Sequence, residues 1–138
     1  MKKSSQIQRI WRRLGIFLLV VAIAGVFLSL AIPNIQEANK GKAVRANAHA
    51  MQQAVELFKL DSDGRIPSNI DKDRSDKGKT VMDYLGYNPA NPYTGVTKSA
   101  INGEHPSEGQ ISYQPRKEGY IVLGAGRRGE IIFRYNGK

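Results

Sequence analysis

The sequence contains no cysteine and only two histidines, His49 and His105. Without cysteine it can form neither disulfides nor thiolate metal sites. A domain of this size must then be held by packing alone or by neighbours in an assembly. Acid is also missing from the first part of the chain: no Asp or Glu occurs before Glu37. Lys2, Lys3, Arg9, Arg12 and Arg13 place five positive charges ahead of Leu14, leaving 16 basic residues against 12 acids in the rest. The net charge of +9 is therefore concentrated in residues 1–13, beside an apolar run. That arrangement reads as a topology signal, with Lys and Arg kept on the cytoplasmic side. It weakens a nucleic-acid reading, because the charge sits where a membrane would be.

Catalytic patterns are missing too. No nucleophile elbow, phosphate loop or metal-ligand spacing occurs. Gly124-Ala125-Gly126 followed by Arg127 and Arg128 lacks a strand-to-helix context and reads as a β-turn. His49 is flanked by Ala48 and Ala50 with no ligand pair nearby, which makes it a surface or interface residue. The chain is expected not to be an enzyme, with no catalytic residue, metal or cofactor.

What is present begins with LGIFLLVVAIAGVFLSLAI, residues 14–32, which carries no ionisable side chain. As a helix this run is about 28 Å long, close to the thickness of a bilayer's hydrocarbon core. It is expected to be a transmembrane helix with its N-terminus inside. A signal peptide cut near Ser29-Leu30-Ala31 and a buried helix of a soluble domain are the alternatives. Gly25 and Ser29 would permit close helix–helix approach.

Pro33 follows, where the sequence turns polar. Proline removes a backbone hydrogen bond and kinks or loosens a helix. Beyond it, Val44, Ala48, Met51, Val55 and Phe58 recur at helical spacing, with Ala54 and Leu57 widening the stripe. Arg45, Gln52, Glu56 and Lys59 take the other side. Asp61-Ser62-Asp63-Gly64 and Pro67 supply the stop. Two helical segments thus meet at Pro33, read as one bent helix reaching Leu60.

Residues 61–80 are polar and punctuated, and read as loop. Their aspartates do not follow the spacing of a calcium-binding EF-hand loop, and Lys72, Arg74 and Lys77 neutralise them. Val81–Leu85 reads as one helical turn ending at Gly86. Three strands are expected at 110–114, 120–125 and 130–135, joined by short polar links into an antiparallel meander. One face would cover Val44, Met51, Val55 and Phe58, with Ile111, Tyr113, Ile131, Phe133 and Tyr135 alternating inward. The expected fold class is α+β, a long N-terminal helix packed on a small antiparallel sheet. Its first half would span the membrane and its second half would be amphipathic. The expected divisions are a basic cytoplasmic stretch at 1–13, a transmembrane helix at 14–32, an amphipathic continuation at 33–60, and a loop-and-sheet head at 61–138.

This order of features resembles the type IV pilin and type II secretion pseudopilin superfamily. The resemblance runs from about Val20 to Tyr135. It rests on AIAGVFLSLAIPNIQEA, KLDSDGRIPSN, NPYTG and GYIVLGAGRRGEI taken in sequence. It implies a structural subunit of a type IV pilus or secretion-type assembly, a homo-oligomer or a hetero-assembly with other pilin-like chains. The implied location is the bacterial inner membrane, single-pass, with the head outside the cytoplasm. The family's cleavage motif, a Gly before the apolar run and a Glu a few residues on, has no counterpart at the matching distance from Pro33. Gly15 is the candidate processing position that remains, and no Glu lies in the run. Two other functions stay open. One is a membrane-displayed basic module in which Arg116, Lys117, Arg127 and Arg128 bind DNA or an acidic polymer. The other is a signal-cleaved secreted domain.

Overall fold

The computed structural model describes residues 3–138, and the side chains of 14–138 apart from those of 28, 30, 31 and 33. The side chains of the basic cluster and the Pro33 ring therefore lie outside the described ones. Helix α1 runs Lys3–Leu60 and helix α2 runs Val81–Leu85. Strands β1 (Ala100–Asn102), β2 (Ile111–Arg116), β3 (Gly119–Ala125) and β4 (Ile131–Gly137) form one sheet in the order β1-β2-β3-β4. Two compact units divide the chain, residues 1–38 and residues 39–138.

In the first unit the side chains from Leu14 to Phe27 are all exposed. Among the described residues no helix is long and apolar enough to cross a membrane. The expectation of a membrane-spanning helix at 14–32 is corrected on this finding. The transmembrane reading and the single-pass inner-membrane location are corrected with it.

The second unit is α+β. Its α1 residues present Ala48, Met51, Ala54, Val55 and Phe58 to the sheet residues Ile111, Tyr113, Tyr120 and Val122, with Ile70, Val81 and Leu85 closing the core. All of these are buried. Burying each large aliphatic or aromatic side chain is worth about 1.5–3 kcal/mol. Asp63 and Gly64, both at positive φ, end α1, and the Gly64 N–H donates to the Lys59 carbonyl at 2.9 Å. Short α2 is held by a capping box. The Asp83 N–H donates to Thr80 Oγ1 at 3.1 Å, and the Thr80 N–H donates to Asp83 Oδ2 at 2.8 Å.

The sheet is not wholly antiparallel, as expected, but mixed. β2–β3 and β3–β4 pair antiparallel, while β1 pairs parallel with β2, Ala100 opposite Ile111. The link at 103–110 carries the chain back to the end of the sheet at which β1 began, so β2 sets off in the same direction. The Ile111 N–H donates to the Ser99 carbonyl at 2.9 Å and the Gly103 N–H to the Tyr113 carbonyl at 3.1 Å, framing this short ladder. A three-residue strand shows no alternation, and sequence pattern alone does not reveal it. A second correction concerns β4. The register shifts between Gly124 and Ala125, which faces Ile131. That irregularity turns Ile131 outward, 48% exposed, while Phe133 and Tyr135 pack against the core.

Candidate functional site: uncovered helical surfaces

The most distinctive surface lies in the first unit. Leu14, Ile16, Phe17, Leu18, Leu19, Val20, Val21, Ile23, Val26, Phe27, Ile32 and Ile35 are each about half exposed or more, Phe17 at 67% and Phe27 at 69%. Gly15 and Gly25 sit among them with open space where a Cβ would lie. Gly15, the candidate processing position, is inside helix α1. The Ser29 hydroxyl donates to the Val26 carbonyl one turn back, at 2.8 Å. Its donor is thereby satisfied within the helix, and the side chain offers an apolar neighbour small bulk rather than an unmet hydrogen bond. Of the residues expected to support helix packing, Gly25 and Ser29 are on this surface, and the Pro33 side chain is not described.

The helix–sheet core residues are in the second unit. Met51, Val55 and Phe58 share one cluster. Val44 is equally buried and lies against Gly124, where an added Cβ would stand 2.9 Å from Val44 Cγ1. Tyr113, Tyr120 and Tyr135 form a ladder on the sheet with ring centroids 5.8 and 5.9 Å apart. Buried tyrosine hydroxyls need partners. The Tyr113 hydroxyl donates to the Pro67 carbonyl at 2.6 Å, tying the sheet to the turn after α1. The Tyr120 hydroxyl donates to Glu56 on α1. Burial, above all, pushes both hydroxyls well above the ordinary tyrosine range.

Three carboxylates of the 61–80 loop, those of Asp61, Asp71 and Asp73, each have their own partner. Lys77 Nζ at 2.6 Å and the Tyr84 hydroxyl at 2.7 Å donate to Asp61, and these contacts hold its carboxyl below the ordinary value. Burial works against the charged form of Asp73. The Ser68 N–H and Arg65, each at 2.8 Å, more than offset it and keep that carboxyl low. Asp71 accepts from Asn102 Nδ2 at 3.0 Å. Among the described residues no three metal-ligating side chains converge. The aspartates pin the loop, one contact at a time.

The four cations of the basic-module reading are not brought together. Arg116 and Lys117 are at the β2–β3 turn, and Arg127 and Arg128 at the β3–β4 turn, at opposite ends of β3. Arg116 is occupied by Gln114 Oε1 at 2.7 Å and Glu104 at 3.4 Å. His49 is exposed, its ring edge-on to Phe133 at 4.6 Å and its Nδ1 3.3 Å from Gln52 Oε1.

Two surfaces escape a reading of the sequence. One is a polar recess between the 91–99 and 107–110 loops, organised by buried Asn91, whose Nδ2 donates to the Glu108 carbonyl at 2.6 Å. Nothing local announces it, because its walls are two separate loops on either side of β1. The other is a shallow groove of about 500 Å³ on α1, lined by Gln52, Gln53, Glu56, Leu57 and Leu60. Leu57 was counted with the core stripe, yet it is 47% exposed, and Leu60 is 77% exposed. The available signal was angular: Leu57 and Leu60 are three apart and share a face that Val55 and Phe58 do not. Set against known proteins, the chain matches no family, no curated protein and no solved structure.

Proposed function

We propose that this chain is a non-enzymatic structural subunit of the pilin and pseudopilin type. It assembles by packing its apolar helical segment, residues 14–27, against other subunits, of its own kind or pilin-like. The observation that carries the reading is that segment's uncovered surface. Ten large apolar side chains of that segment are about half exposed or more. Completing their burial is worth on the order of 10 kcal/mol. Association costs about 4–15 kcal/mol in lost motion. The two are comparable, so the quality of packing decides whether an assembly forms. Gly25, with nothing beside it, allows a neighbouring backbone close in. The family's glutamate in the apolar run is missing here, so register in this assembly would come from shape rather than from a buried ion pair.

The test is the size of the purified full chain by sedimentation velocity and negative-stain microscopy, with Gly25→Leu alongside. Regular oligomers or filaments are expected from the native sequence, and markedly smaller species from Gly25→Leu. A native chain that stays monomeric across micromolar concentrations overturns the reading. So does an assembly indifferent to Gly25→Leu, since unspecific aggregation tolerates a larger side chain.

A further inference from the structure

Charge is unevenly placed in the second unit. Ala100 at the start of β1 pairs with Ile111 at the start of β2, Ile111 with Gly124 late in β3, and Ala125 with Ile131 at the start of β4. The 91–99 loop, the 107–110 link and the 126–130 turn therefore gather at one end of the sheet. There the Gly109 N–H donates to the Ala125 carbonyl at 3.1 Å. Helix α1 passes the same end, where a Cβ on Gly41 would lie 3.8 Å from Ile132 Cδ1 and 3.9 Å from the Tyr93 hydroxyl. Six cations share this end: Lys40, Lys42 and Arg45 on the helix, Lys98 in the wall of the polar recess, and Arg127 and Arg128 on the turn. Two acids accompany them, Glu108 and Glu130, and Glu130 already accepts from the Arg128 N–H at 2.8 Å. The rest of the unit is balanced, with ten Lys and Arg against nine acids. There Arg65 pairs with Asp73, Lys77 with Asp61 and Arg116 with Glu104. Arg127 and Arg128 thus find cationic company from α1 and the 91–99 loop, not from Arg116 and Lys117.

We propose that this end of the second unit binds the phosphate backbone of duplex nucleic acid, without regard to sequence. A second copy of the chain does not neutralise it. Residues 1–38 carry five Lys and Arg against one acid, and the remainder of the second unit is balanced. The partner is therefore a different molecule, and an anionic one. Three of the six cations are arginines, whose planar fork meets phosphate oxygens in pairs.

Nothing at this end is arranged to read bases. The Tyr93 ring lies under Lys40, with Nζ 5.5 Å from its centroid. The Asn91 amide is spent on the Tyr93 and Thr94 N–H groups and on the Glu108 carbonyl. A single strand is held by stacking its bases on open aromatic faces. A duplex asks only for cations that reach its phosphates, and such contacts position without specifying. No part of this surface depends on assembly, although an assembly would repeat it along its length.

Fluorescence anisotropy of a labelled mixed-sequence duplex, titrated with the full-length chain between about 50 and about 200 mM salt, tests this. Two variants divide the surface: Lys42→Gln with Arg45→Gln on the helix, and Arg127→Gln with Arg128→Gln on the turn. All four positions are exposed, so unchanged melting midpoints are expected. Each variant is expected to lose at least about tenfold in affinity and to flatten the salt dependence by about 2 in slope, one for each phosphate contact removed. Lys72→Gln with Lys117→Gln, two exposed cations elsewhere in the unit, is expected to bind as the native chain does. Both surface variants binding like the native chain would place the duplex on other charges, residues 1–13 included, and overturn the proposal. A loss confined to one of the two variants overturns the single surface. A control that falls as far as they do reduces the effect to net charge. Polyglutamate that displaces the duplex as well as an unlabelled duplex of equal charge overturns the preference for phosphate. Each of these failures leaves the assembly reading standing.

Discussion

Gly124 sits where β3 comes close against helix α1. A Cβ there would lie 2.9 Å from Val44 Cγ1, 3.3 Å from Phe133 Cβ and 3.5 Å from Ala48 Cβ. The glycine is needed because helix and strand share that space, not because of an unusual turn. Gly124→Val is expected to cost about 1–3 kcal/mol by overpacking, read as a lower thermal midpoint. An unchanged midpoint would mean the two elements part easily here. The stripe of Val44, Met51, Val55 and Phe58 was legible residue by residue, because 3.6-residue spacing reports on one face. Gly124 was not, since a small residue announces nothing until its neighbour across the gap is known. Leu57 shows the opposite error. Hydrophobicity alone places it inward, but that flank of the helix is left uncovered, with Leu57 47% exposed.

Among the elements, the loop at 61–80 carries most of the ionisable contacts. Its carboxylates Asp61 and Asp73 are held below their ordinary value of 3.8. A depressed carboxylate gives stability that is complete above its unfolded value and is lost as pH falls through the folded one. The thermal midpoint is therefore expected to hold steady down to about pH 5 and to fall below about pH 4. Asp73→Asn should lower the midpoint at neutral pH and flatten that acid limb. A limb of unaltered slope would remove Asp73 from the account. The loop's existence was plain from its Gly, Pro and Asp content. Its internal order was not, because Lys77 and Tyr84 reach Asp61 from 16 and 23 residues away. For the same reason β1 went unseen while α2, with its Thr80 and Asp83 cap, could be read locally.

For the whole molecule, the two compact units make a separable prediction. A fragment beginning at Asn39 contains the whole helix–sheet core. It is expected to unfold in one cooperative transition and to remain monomeric at concentrations where the full chain assembles. A fragment that assembles equally well would move the interface away from residues 14–27. The sequence by itself determined the apolar segment, the amphipathic stripe, the turn residues and the α+β class, because each is written in neighbours fewer than about five positions apart. It left undecided what covers what. Only the tertiary structure decided that β1 runs parallel to β2, that Ile131 and Leu57 face outward, and that the four turn cations stand apart. Those outcomes depend on which distant segments compete for the same limited area of sheet and helix, and local pattern carries no record of that competition.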